Sequence, residues 1–141
     1  MEIADVRRRV NDTIARARTT SSDRRERADT ASRSFDRFLN VVAVPLVRQI
    51  VNVLRTENYS FNMFTPPESV RLMSERHADD YIEIWLDTSG NTPRVVAHVS
   101  RSRGHRGFDA HRVIGSGDPE AITDEQLLSF LLEELEPLLQ K

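Results

Sequence analysis

The chain has 141 residues, of which 38% are hydrophobic and 30% are charged, and its formal net charge is -2. This length fits one globular domain plus an extension, and the slight negative charge argues against bulk nucleic-acid binding. No cysteine is present, which excludes disulfides, thiolate metal sites and thiol catalysis. Neither a run of about 18 apolar residues nor a secretory signal is readable, so we expect a cytoplasmic protein without membrane association.

A three-four repeat of residues dominates the N-terminal part of the chain. Its members are Val10, Ile14, Ala17, Ser21, Arg24, Ala28, Ala31, Phe35, Phe38 and Val42. These spacings are those of a helix seam, and an unbroken helix from Ile3 to Val44 would be roughly 60 Å long. Because such a helix is longer than a domain of this size is wide, it needs a partner. We therefore expect a homodimer whose interface is made by the seam residues Val10, Ile14, Ala17, Phe35 and Phe38.

The N-terminal segment also allows a second arrangement, in which the helix is broken near its middle. Residues 19–22 are all Thr or Ser, which are poor helix formers, and Asp23 with Glu26 could form a capping box at a new helix start. A break at this point would produce a helical hairpin, or a bent pair of helices, that folds back on its own domain.

An apolar stripe at helical spacing continues from Phe35 to Leu54 and predicts the core helix. Pro45 interrupts this stripe. Because proline lacks an N–H donor and its ring clashes with the preceding turn, we expect a kink or a new first turn there. The predicted domains are an extended helical segment, residues 1–44, and an α+β domain, residues 45–141.

From Tyr59 onward the apolar period changes to two, which is the period of a β-strand. Strands are predicted over residues 59–64, 69–75, 81–87, 93–101 and 108–114, and the short loops between them favour an antiparallel meander. A last helix begins with a capping box formed by Thr123 and Gln126 and carries leucines on one face. The predicted fold is α+β: an extended N-terminal helix, a kinked core helix, an antiparallel sheet of four to five strands and a C-terminal helix packed on one sheet face.

The strand register follows from placing the apolar side chains on one face of the sheet, because a slip of one residue turns a whole strand over. Leu86 then lies opposite Val95, Ile84 opposite Ala97, Ile82 opposite Val99, and Val99 opposite Ala110. The helices should cover this face. On the other face, Glu83, His98 and His111 fall in one row.

This row is a candidate site. Opposed Cβ atoms on neighbouring strands are about 4.5–5.5 Å apart, so two imidazoles and a carboxylate could bind a metal ion or share protons. Asp109 and Tyr81, one residue pair away, are candidate outer-shell partners. The ordinary alternative is a solvated sheet face on which a Glu and a His form a cross-strand pair. Trp85 gives the same face an apolar end where a protein partner could dock.

A second candidate is the basic loop between the last two strands, which contains Arg101, Arg103 and Arg106 among glycines. Arginine forks suit phosphates, so these three residues form a candidate anion-binding site for nucleic acid or a phosphorylated ligand. A solvated hairpin tip explains the same pattern, because no aromatic platform alternates with the charges. We therefore do not expect nucleic acid as a partner.

These features favour a non-enzymatic, homo-oligomeric interaction or adaptor module. Its long helix would mediate assembly, its open sheet face would receive a protein partner, and no cofactor is predicted. The alternatives are a metal-dependent or acid/base enzyme that uses Glu83, His98 and His111, and a nucleic-acid-associated protein that uses the arginine-rich loop.

Overall fold

The first part of the chain forms one continuous helical rod, Ile3–Thr56. The computed structural model describes residues 1–103 and 106–140. The rod consists of α1 (Ile3–Phe38), a π-helical turn (Leu39–Ala43) and α2 (Val44–Thr56). It runs without interruption through residues 19–22, so the continuous helix is confirmed and the hairpin alternative is wrong.

The π-helical turn is the local response to Pro45. Proline cannot donate to the carbonyl four residues back, and its ring would clash with that carbonyl in a regular α-helix. The Val44 N–H instead donates to the Leu39 carbonyl, which widens the turn, and α2 then restarts with Pro45 in its first turn. The expected irregularity at Pro45 is therefore present.

Helix α2 ends in a Schellman motif at Asn58, whose φ is 69°. The Tyr59 N–H donates to the Leu54 carbonyl at 2.8 Å, and the Asn58 N–H donates to the Arg55 carbonyl at 3.1 Å. Because this motif uses Tyr59, the first strand begins at Phe61, later than predicted.

The sheet has five antiparallel strands in the order of the chain. They are β1 (Phe61–Phe64), β2 (Val70–Ser74), β3 (Tyr81–Asp87), β4 (Arg94–Arg103) and β5 (Arg106–Val113). The predicted register is correct, since Ile84 lies opposite Ala97 and Val99 lies opposite Ala110. Together with α3 (Asp124–Leu139), these elements confirm the α+β fold.

The hydrophobic core lies between one face of the sheet and the helices. Its most deeply buried side chains come from β2 to β4, α2, the segment after β5 and α3: Leu72, Ile82, Ile84, Val95, Val99, Val47, Ile114, Leu127 and Leu131. Helix α3 begins with the predicted capping box, in which Thr123 and Gln126 each donate a backbone N–H to the other's side chain at 3.0 and 3.1 Å. On the same side of the sheet, Arg112 of β5 pairs with Glu134 of α3 at 2.9 Å. This ion pair ties the edge of the sheet to α3.

Phe35 and Phe38 belong to this core, with exposures of 3% and 4%. Their ring centroids lie 6.1 Å apart, and both rings pack in one cluster with residues of α2, the sheet and α3. The prediction that these two phenylalanines form a subunit interface is therefore corrected, because the chain's own sheet and helices cover them. The core also includes Phe35, Phe38, Leu39 and Ala43, which lie before the predicted domain boundary.

The helical rod, Ile3–Thr56, is long enough to cross a membrane. An 18-residue window within it is also apolar enough to do so, with a mean hydropathy of 1.4. The core helix of a globular domain meets the same criterion, and 39% of this window is buried inside the structure.

Candidate functional site

The sheet face opposite the helices carries the predicted row. Glu83 of β3 lies opposite His98 of β4, and His98 lies opposite His111 of β5. The register chosen to align apolar residues therefore brings these three positions side by side. Since β4 lies between β3 and β5, His98 is the central member of the row.

Glu83 does not turn toward the histidines. Its carboxylate accepts a hydrogen bond from Nε of Arg71, which lies opposite it on β2, at 2.8 Å. The Arg71 guanidinium also lies 4.2 Å from the centre of the Tyr81 ring. The predicted triad is thus separated into an Arg71–Glu83 ion pair and a pair of histidines, because β2 supplies a cation that analysis of β3, β4 and β5 alone did not include.

The two imidazoles stack on each other, with ring centroids 4.6 Å apart and planes inclined by 8°. Nε2 of His98 contacts Oδ1 of Asp109, and the Tyr81 hydroxyl lies 3.3 Å from Nδ1 of the same ring. Both nitrogens of His98 therefore have a polar neighbour on the open face. Asp109, predicted only as an outer-shell partner, makes the direct contact.

Trp85 borders the histidine pair on the β3 side. Its ring meets His111 edge-on at 5.4 Å and His98 edge-on at 6.1 Å. The side chain is half-buried, so it provides the apolar end of the open face that the sequence predicts. Changes in either imidazole must therefore alter the surroundings of the indole.

A cleft of about 710 Å³ opens beside Trp85. It lies between α1, the β1–β2 loop and the end of β3, and its walls include Phe35, Leu39, Pro66, Pro67, Glu83 and Trp85. Its volume is within the range of small-molecule sites. Sequence patterns do not reveal this cleft, because its walls come from three separate segments that only the tertiary structure brings together.

Asp87 lies at the end of β3 on the same face. The Ser89 hydroxyl and the Ser89 backbone N–H donate to its carboxylate at 2.6 and 2.9 Å, and these two bonds hold the pKa of Asp87 below its ordinary value. Electrostatic interactions with Arg94 and His111 lower the pKa of Asp87 further, whereas burial raises it.

Ser89→Ala should raise the pKa of Asp87 toward its ordinary value of 3.8, because it removes the hydroxyl donor. A lowered pKa in the folded state stabilises the fold above the unfolded-state pKa, and that contribution is lost as the pH falls through the folded-state pKa. The variant should therefore show a weaker dependence of stability on pH below about 4. A carboxyl-carbon NMR titration of Asp87 checks the shift, and an unchanged midpoint would contradict the assigned cause.

The β4–β5 hairpin carries the predicted anion-binding arginines. The Arg101 guanidinium lies 4.1 Å above the Phe108 ring, on the helix side of the sheet, and the side chain of Arg106 is exposed. The side chain of Arg103 and residues 104–105 lie outside the part of the chain that the structure describes. Phe108 supplies an aromatic neighbour that the sequence pattern of the loop does not reveal, because Phe108 lies opposite Arg101 only once β4 and β5 pair.

The remaining predicted interface residues lie far along α1 from the sheet. Val10, Ile14 and Ala17 are exposed, and so is every residue from Val6 to Arg27. Counted from the N-terminus within the described residues, the first hydrogen bond from α1 to the domain runs from Arg24 Nη2 to Asn91 Oδ1 at 2.8 Å. These seam residues therefore lie on a projecting arm.

The open face thus offers two imidazoles, a carboxylate and a phenol to solvent within one surface, with an indole and a cleft beside them. Such a donor set can bind a cation or transfer protons. No protein-family model, no curated protein and no solved structure matches this chain.

Proposed function

We propose that the protein is a non-enzymatic, homo-oligomeric interaction or adaptor module that assembles through α1. The observation that carries this proposal is the projecting arm, residues 6–27, all of whose residues are exposed. At about 1.5 Å per residue the arm extends roughly 30 Å.

The arm presents a narrow apolar stripe to solvent. Val6, Val10 and Ile14 are 43%, 50% and 42% exposed, and they lie on one side of α1 at three-four spacing with Ala17. In a two-stranded coiled coil this stripe would pack against its equivalent from a second copy. The small side chain of Ala17 would allow the two backbones to approach closely there.

Helix energetics also favour a partner. Within the arm, the hydrogen bonds to the domain come from Arg24 and Arg27 near its end, and a helix with so few tertiary contacts is only marginally stable in water. Residues 19–22 also add four poor helix formers to the arm. Ion pairs along the helix, such as Arg8 with Asp5, are exposed and contribute little. Burial of the apolar stripe against a second helix would supply the missing stabilisation.

The open sheet face is the proposed docking surface of the adaptor. Trp85 is half-buried, Val113 is 38% exposed, and the cleft beside Trp85 gives a partner side chain a recess to enter. Because the arm and this face lie on different parts of the molecule, assembly and partner binding would not compete.

Sedimentation velocity of full-length variants tests the assembly step. Ile14→Glu should raise the dimer dissociation constant roughly a hundredfold or more, because each buried Ile side chain contributes about 1.5–3 kcal/mol and a dimer contains two copies. Ala17→Glu should also raise the dimer dissociation constant. Thermal unfolding of both variants should match the wild type, since the arm does not contribute to the core.

The matched control is Ala15→Glu. Ala15 has the same side chain and is also exposed, but it lies on the opposite side of α1 from the stripe. We expect it to sediment as the wild type does. A wild-type protein that is monomeric at tens of micromolar, or equal weakening by Ala15→Glu and Ala17→Glu, would overturn the proposal.

A further inference from the structure

We propose that His98, Asp109 and His111 bind a divalent transition-metal ion on the open sheet face. One ligand atom from each of the three residues lies within 4.8 Å of the others. This site is independent of α1 and of the proposed assembly, so it can exist whether or not the protein dimerises.

The backbone fixes the three side chains on one face. Asp109 and His111 are two residues apart on β5, and side chains at that spacing point to the same side of a strand. His98 lies directly opposite His111 on β4. Since β5 is the edge strand and Asp109 and His111 are exposed, an ion can reach the site from solvent.

The donor chemistry selects the class of ion. Two imidazole nitrogens and one carboxylate oxygen suit Zn²⁺ and its neighbours in the first transition row, and three protein ligands leave a fourth position for water. Ca²⁺ and Mg²⁺ prefer oxygen ligands only, so they fit this set poorly. Glu83 is not a ligand in this proposal, because its carboxylate is bound to Arg71.

The ring of His98 is oriented to bind the ion through Nε2. Its Nε2 faces Oδ1 of Asp109, so these two donor atoms already lie side by side where the ion would bind. The ion binds to the neutral ring with its proton on Nδ1, which leaves the lone pair of Nε2 free for the ion. The Tyr81 hydroxyl at Nδ1 holds the ring in place from its other side, as hydrogen bonds to metal-binding histidines generally do.

His111 completes the site by turning its ring. The in-plane lone pairs of two parallel rings do not converge on one point, so one imidazole must rotate from the stacked arrangement. The His111 side chain is exposed, and the terminal torsion of histidine is soft, so this rotation displaces no core residue. Rotation also changes the edge contact with Trp85, the single tryptophan of the chain.

Zinc titration of the full-length protein, without a polyhistidine tag and stripped of metal by a chelator, tests the proposal. Calorimetry should give one Zn²⁺ per chain, and Trp85 emission should change over the same range of concentration. His98→Ala and His111→Ala should each abolish the response, Asp109→Asn should weaken it, and Tyr81→Phe should lower the affinity about 10- to 100-fold.

The controls separate this site from adventitious binding. His77→Ala and Glu83→Gln should leave Zn²⁺ affinity and the Trp85 response unchanged, and Ca²⁺ should produce neither signal. The proposal is overturned if the wild type takes up no Zn²⁺, if the double variant of His98 and His111 still binds one equivalent, or if Glu83→Gln weakens binding as much as Asp109→Asn. Sedimentation of the same samples keeps this result separate from the assembly proposal.

Discussion

Replacing Phe35 or Phe38 by alanine should lower the free energy of unfolding by about 3–5 kcal/mol in each case. Both side chains are almost fully buried, and their rings contact each other in the layer where the end of α1 meets the sheet and α2. Truncation removes the transfer free energy of a large apolar group and leaves a cavity that the surrounding helices cannot fully close. Urea denaturation monitored through Trp85 measures the loss.

Val53→Ala is the matched control for these two variants. Val53 lies on the same helical rod but is 63% exposed, so its truncation should change stability by no more than about 0.5 kcal/mol. If Phe35→Ala and Phe38→Ala weakened a dimer but left the unfolding free energy unchanged, these residues would belong to a subunit interface, contrary to their observed burial.

The contrast between Phe35 and Val10 shows the limit of reasoning from periodicity. Both residues occupy the same three-four seam, and the sequence pattern treats them alike. The seam nevertheless faces the chain's own sheet at Phe35 and solvent at Val10. Periodicity identifies which residues share a side of a helix, but the direction of that side depends on where the helix leaves the domain.

The sheet was more predictable than the long helix. Alternation of apolar and polar residues fixes the register of β3, β4 and β5, because a slip of one residue would expose Ile84 and bury Glu83. The observed pairs of Ile84 with Ala97 and of His98 with His111 agree with that reasoning. The capping box at the start of α3 was also predictable, because it depends only on a local interaction between Thr123 and Gln126.

Side-chain partners on the open face were not fixed by the register. Glu83 has neighbours on both sides, Arg71 on β2 and His98 on β4, and the charged guanidinium offers its carboxylate the stronger hydrogen bond. Asp109 then contacts His98 in place of Glu83. Register places Cβ atoms, whereas the choice among competing partners depends on rotamers and charge.

Gly117→Ala should lower the free energy of unfolding by about 2–4 kcal/mol. Gly117 has a φ of 85°, which costs an L-residue about 1–2 kcal/mol, and an added Cβ would lie 3.1 Å from Cβ of Arg94 and from Cγ1 of Val113. Its carbonyl also accepts the Val95 N–H at 2.8 Å, which ties the start of β4 to the turn after β5. Displacement here would disturb the strand pair that carries His98 and His111.

Two other glycines separate the causes of that loss. Gly115 has a φ of 56°, but a Cβ there would meet its nearest neighbours at an ordinary 3.6 Å, so Gly115→Ala should show the backbone cost alone, about 1–2 kcal/mol. A Cβ at Gly90 meets nothing within 4 Å, so Gly90→Ala should be neutral or stabilise the fold by up to about 1 kcal/mol. Urea denaturation of the three variants should therefore rank Gly117→Ala as the least stable and Gly90→Ala as the most stable. Equal losses of unfolding free energy for Gly117→Ala and Gly115→Ala would show that the side chains of Arg94 and Val113 move aside for the new methyl group. The positive φ alone would then explain why residue 117, in the turn after β5, is glycine.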